Sequence, residues 1–200
     1  MTSKIPLSNT QRAHELFGAV GARKTFDLMS LGLPFSERAD GFKFAADLLV
    51  EAPGSKRNSL VYPVCYLYRH CLELWLKHLI VMAEGYLRQD LLGKKIKNHD
   101  LAELWKICRA GLKKANPGDE RWSKESFDEV EECIDALASF DEKGEVFRYD
   151  VNTRGERWQL AMRSVDLEKM RKAVSSVVDI FDIYSHEMKH RLDTREWSRP

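Results

Sequence analysis

His70, Glu73 and Lys77 stand inside the most apolar stretch of a 200-residue chain. Ionisable side chains are costly to bury there unless they are paired and hydrogen-bonded. On a helix, Tyr66, His70, Glu73 and Lys77 share a sector of about 60°. An imidazole can move protons near neutral pH, a carboxylate can orient it, and an ammonium can meet phosphate charge. Around the sector stand Val64, Leu67, Tyr68, Cys71, Leu72, Leu74, Trp75, Leu76, Leu79 and Ile80, which leave little polar perimeter and predict a central helix. Three readings of the stripe stay open. It is a solvated face whose Glu73–Lys77 pair is worth a few tenths of a kcal/mol, on the order of 0.2–0.5; or a buried structural network; or a functional pocket.

Two later segments supply partners for it. Asn98-His99-Asp100-Leu101 reads as a helix start with His99 at or beside the N-cap. Phe147-Arg148-Tyr149-Asp150 places a guanidinium between aromatic residues, where it can present a planar fork to a carboxylate or phosphate. The plainer alternatives are a capping-region histidine and an Arg148–Glu73 bridge that fastens the segment to the helix.

The elements that must position these residues are helical. Apolar spacing and caps predict helices over residues 8–29, 36–52, 58–85, 100–112, 123–140 and 165–190. Pro63 is expected in the first turn or so of the third of these, and Ser164 as the cap of the last. Residues 145–160 are rich in β-branched and aromatic residues around Asn152-Thr153-Arg154-Gly155, which predicts a short hairpin or ordered loop. The expected fold is therefore an all-α helical bundle (residues 36–190) carrying that insert before its last helix. A helical appendage (residues 1–35) precedes it and a loose tail (residues 191–200) follows.

Composition sets outer bounds. Hydrophobic residues make up 44% and charged residues 32%, which excludes a disordered chain. The net charge of +1 gives no global pull towards nucleic acid or membrane, but residues 85–116 carry +5 and residues 117–145 carry −8. These segments could pair within a chain or between copies. Cys65, Cys71, Cys108 and Cys133 form no Cys-x-x-Cys pair and read as small buried hydrophobes. Residues 1–10 have no apolar signal core. The apolar stretch of residues 60–83 is interrupted by Arg69, His70, Glu73, Lys77 and His78, so no membrane span is expected and the reading is cytoplasmic.

Together the run from Arg69-His70 through Glu73-Leu74 and Leu76-Lys77, then His99-Asp100-Leu101 with Leu104-Trp105, then Phe147-Arg148-Tyr149, resembles a group of bacterial HEPN-like (higher eukaryotes and prokaryotes nucleotide-binding) proteins. That group shows Arg-His-x-x-Glu-Leu-x-Leu-Lys, a His-Asp-Leu helix start and a late Phe-Arg-Tyr-Pro insert. The resemblance spans roughly residues 36–185, with Asp150 standing where the pattern has Pro. It implies a helical bundle, a homodimer, and RNA or nucleotide binding in stress response or phage defence. On that resemblance the site comprises His70, Glu73, His99 and Arg148, with Arg69, Lys77 and Tyr149 as binding residues. In an RNA-cleaving version His70 or His99 would move protons, while Arg148 and Lys77 would stabilise phosphate charge. Catalytic members have an Arg, four to six intervening residues and then a His, and no Arg in this chain has that spacing. Catalysis therefore stays open, beside a non-catalytic interaction or scaffold module as the alternative.

Other motifs carry less. His186-Glu187-Met188-Lys189-His190 matches His-Glu-x-x-His, but Lys189 sits inside it and no His follows, so a polar helix end is the expectation and no metal is assigned. No phosphate-binding Gly-rich loop is present, and no cofactor is implied. Lys94, Lys95 and Lys97 could contact phosphates or form a solvated loop.

Overall fold

A helix as apolar as residues 57–87 can be satisfied only by neighbours on nearly every side, and the computed structural model supplies them. It describes residues 35–52, 57–91, 98–116, 124–158 and 164–197. The helix expected over residues 8–29 and the lysine cluster at 94–97 lie outside these. Among the described residues the helices are α1 (Phe35–Val50), α2 (Arg57–Leu87), α3 (Leu101–Ala115), α4 (Lys124–Phe140) and α5 (Leu167–Trp197). No strand is formed among them, so the fold is the expected all-α bundle.

The central helix is α2, which packs against α1, α3 and α5. Residues Cys71 through Lys77 are buried without a break. Below them Trp75, Trp105, Phe127, Phe181 and Tyr184 form a cluster of tilted rings with centroids 5.6–6.4 Å apart. Aromatic burial of this kind ties α2, α3, α4 and α5 into one core. Trp75 also donates from Nε1 to Asp40 of α1 at 3.2 Å. The cysteines are free, with Cys65, Cys71 and Cys108 buried. The basic and acidic segments meet within the chain, where Arg109 of α3 donates to Glu131 of α4 at 2.6 Å.

Several boundaries differ from the sequence reading. Pro63 lies in the second turn of α2, because the helix begins at Arg57. A proline there brings no amide hydrogen to the helix ladder. Ser36 falls inside α1 rather than capping it. The cap of α5 is Asp166, whose Oδ1 accepts from the Glu168 and Lys169 amides at 3.1 Å, not Ser164. That helix also continues to Trp197 instead of ending near His190. The Glu187–Arg191 pair at 2.9 Å supports this polar extension, which needs no apolar stripe of its own. Among the described residues no helix is long and apolar enough to cross a membrane.

Asp100 performs the capping role expected of it. Its side chain accepts from the Glu103 amide at 3.1 Å, and its backbone is extended as a cap requires. Asp100→Ala is expected to cost about 1 kcal/mol, measured as a lower urea midpoint. This cap fixes the backbone beside His99 and so helps to place it.

The insert is an ordered loop with one antiparallel bridge, Val151 to Arg157. Asn152 organises its tip, with Oδ1 accepting from the Arg154 amide at 2.8 Å and the Glu156 amide at 3.0 Å. Gly155 takes φ +77° to close the turn.

Candidate functional site

Glu73 is the hub of the site. Its side chain is 3% exposed, and Oε1 accepts from Lys77 Nζ at 2.9 Å and from His99 Nδ1 at 2.8 Å. Oε2 accepts from Arg69 Nη1 at 3.3 Å and lies 3.9 Å from His70 Nδ1. Burial by itself would raise the Glu73 carboxyl. The nearby His70 ring, the Lys77 hydrogen bond and the charges of Lys77 and His99 outweigh that and hold it well below the usual carboxylate range. Glu73 is therefore an anion at every physiological pH, and cannot serve as a proton donor there.

That charge fixes which His99 nitrogen faces Glu73 as a donor. An ionised carboxylate only accepts, so the 2.8 Å contact is donated by Nδ1–H of His99. In the neutral ring the lone pair then resides on Nε2. The His99 side chain is 56% exposed. A buried carboxylate thus orients an accessible imidazole, an arrangement suited to accepting a proton or bonding a ligand hydroxyl.

Arg69 braces the same centre from below. It is 2% exposed, and its guanidinium reaches three backbone carbonyls besides Glu73. Nε donates to Asp141 at 2.9 Å, and Nη2 donates to Glu142 at 3.1 Å and to the His99 carbonyl. Arg69 thereby locks the start of α3 and the loop after α4 onto α2. The Asp141 carboxylate, itself buried, turns that loop by accepting from the Glu145 amide at 2.6 Å and the Val146 amide at 3.0 Å.

Gly144 completes the brace. Its φ is +75°, and an added Cβ would stand 2.8 Å from Arg69 Nη1. A side chain here meets both a left-handed backbone and a guanidinium held by four acceptors. Gly144→Ala is expected to cost about 1–3 kcal/mol from the backbone alone, with the Arg69 clash adding to it. Thermal melting beside the wild type measures the loss.

The exposed side of the site is aromatic and cationic. His70 stacks on Tyr66 with centroids 5.7 Å apart and an interplanar angle of 6°, and meets the edge of Phe42 at 4.5 Å. The Arg148 guanidinium lies 5.7 Å from the Tyr66 centroid and 5.2 Å from that of Tyr149. Its Nε donates to the Gly144 carbonyl. A series of contacts thus runs from Glu73 through His70 and Tyr66 to Arg148, and a second from Arg69 through Gly144 to the same residue.

The structure brings Arg69, His70, Glu73, Lys77 and His99 together around one carboxylate. Two residues expected to bind are buried, and one alternative reading is not realised. Lys77 is 6% exposed and engaged by Glu73, so it does not present its charge to a phosphate. Arg69 is a buried fastener rather than a contact for ligand. Arg148 does not bridge to Glu73; Arg69 fastens the loop instead, leaving Arg148 exposed on the tyrosines. Sequence reading missed Asp141 and Gly144. The signal was an Asp directly after the last apolar residue of a helix, with Gly three positions on.

The His186 and His190 side chains are exposed, and His186 Nδ1 contacts the Asp182 carbonyl at 2.9 Å. Among the described residues no group of three or more His, Cys, Asp or Glu is arranged to hold a metal ion. No family model, curated protein or solved structure matches the chain.

Proposed function

We propose that this chain is a HEPN-like protein that binds RNA or a nucleotide on a ledge formed by half-buried Tyr66 and His70 with exposed His99, Arg148 and Tyr149, acting in stress response or phage defence. The single observation that carries this reading is the exposed His99 imidazole, oriented by buried Glu73 and linked through the Arg69–Gly144 brace to a guanidinium laid over two tyrosines. The Arg148 guanidinium supplies donors for phosphate, His99 Nε2 can accept from a ligand hydroxyl or amine, and the exposed Tyr149 ring can stack on a base. The overall charge of +1 agrees with a local contact rather than a broad electrostatic surface.

Cleavage is a separate matter from binding. His99 has the geometry of a proton acceptor, and Arg148 is the exposed cation that the brace connects to it. The Arg-to-His spacing of catalytic HEPN proteins is nonetheless absent. Binding is therefore the function proposed.

The test is a titration of labelled RNA and of labelled ATP in EDTA, read by fluorescence anisotropy. Arg148→Ala is expected to weaken binding by about tenfold, corresponding to one charge-assisted contact of about 1.5 kcal/mol, and His99→Ala by about fivefold, corresponding to a neutral hydrogen bond of about 1 kcal/mol, with little change in melting. Product analysis of the same RNA reports cleavage. A folded wild-type protein that binds neither probe would leave the polar centre as a structural brace and refute the proposal.

A further inference from the structure

Beside the ledge lies a cleft of about 660 Å³ whose walls include Tyr62, Phe147, Arg148, Tyr149, Arg157 and Trp158. We infer that this cleft is a base-and-phosphate subsite for single-stranded RNA, extending the ledge away from His99. The inference rests on the binding reading above and adds to it the strandedness of the ligand and the residues that continue its path.

The argument begins with helix register. Tyr62, Tyr66 and His70 follow one another at four-residue steps on α2, so they form one row about 12 Å long at 1.5 Å per residue. Tyr66 and His70 belong to the ledge, and Tyr62 opens into the cleft. Tyr62 is 49% exposed, and its ring meets Phe147 with centroids 6.5 Å apart. An aromatic row with free ring surface is a stacking platform that tolerates any base, because every base has a π face.

Charge follows the same line. Arg148 is shared by ledge and cleft, while Arg157 comes from the far arm of the insert, held opposite Val151 by the antiparallel bridge. Asp150 is the one carboxylate among the lining residues, so the two guanidinium groups leave the cleft net positive. Neither forms an ion pair among the described residues. Guanidinium groups beside exposed rings suit a chain of alternating phosphates and unstacked bases. An RNA duplex keeps its bases stacked inside and offers these rings nothing to stack on.

The experiment uses the full chain and two fluorescein-labelled probes, a ten-nucleotide oligouridylate and a blunt RNA duplex of equal length. The single strand is expected to bind at least tenfold more tightly. Tyr62→Ala and Arg157→Gln should each weaken it by about tenfold, and Arg157→Gln should also lower the salt dependence by about one phosphate contact. Both residues are exposed, and melting curves identify any variant that fails to fold. If the wild type binds the single strand and both folded variants bind it equally well, the subsite is refuted while the ledge proposal stands. Equal or tighter binding of the duplex also overturns the inference. Failure of the wild type to bind any RNA or nucleotide overturns both.

Discussion

Glu73→Ala is expected to destabilise the chain by about 3–5 kcal/mol, enough to leave little folded protein in a domain of ordinary stability. The magnitude follows from what would remain. Arg69 and Lys77 are 2% and 6% exposed, and both point at the missing carboxylate. Removing Glu73 strands Lys77 as an uncompensated buried charge and leaves Arg69 only the Asp141 carboxylate at 3.7 Å, which costs more than the set itself contributed. Glu73→Gln keeps the volume and one acceptor and should fall between the wild type and the alanine variant. Urea denaturation at neutral pH orders the three proteins.

The acid limb carries the same signature. The folded-state carboxyl of Glu73 is depressed below its unfolded value, about 4.3. Its stabilising contribution is therefore fully present above that value and drains away as the pH falls towards the lower folded value. Between pH 5 and pH 3 the wild type should lose stability more steeply than Glu73→Gln, whose amide does not titrate. Parallel acid limbs would remove Glu73 from the account of stability.

Arg69→Met is expected to have the second largest effect, again about 3–5 kcal/mol. Methionine fills much of the volume but donates nothing to the carbonyls of His99, Asp141 and Glu142, or to Glu73. Arg69→Lys should rescue only in part, since one ammonium cannot reproduce a planar fork that serves four acceptors. The effect should also be local. Hydrogen exchange is expected to rise first at residues 98–100 and 141–149, because these are the segments Arg69 ties to α2. A uniform rise across all helices, with no early loss there, would count against the bracing role.

Much of this was legible in the sequence, for identifiable reasons. An apolar helix interrupted by His70, Glu73 and Lys77 announces either a central network or a site, because isolated charges are not tolerated in a core. Asp100 announced the start of α3, since a cap is a local rule that needs no tertiary knowledge. What stayed hidden depends on neighbours. Counting back from Glu73, a step of four leads to Arg69 and a step of three to His70, and periodicity alone does not say which one is buried. The answer lies in carbonyls at 99, 141 and 142, distant in sequence. Asp141 sits in an acidic run that reads as a solvated loop, yet it is 1% exposed because its carboxylate replaces water for the amides after it. The sequence leaves Arg148 open between a Glu73 bridge and a ligand contact, and with Arg69 on Glu73 its guanidinium lies over the tyrosines.

The claim that the ledge is a ligand site is tested most directly by nuclear magnetic resonance of the labelled full chain during titration with a short single-stranded RNA, in EDTA and at low salt. Resonances of Tyr66, His70, His99 and Arg148 should shift together and saturate at one stoichiometry, with the His99 imidazole among the largest changes. Shifts confined to the acidic face of α4, or no saturable shifts at all from a well-folded protein, would contradict it.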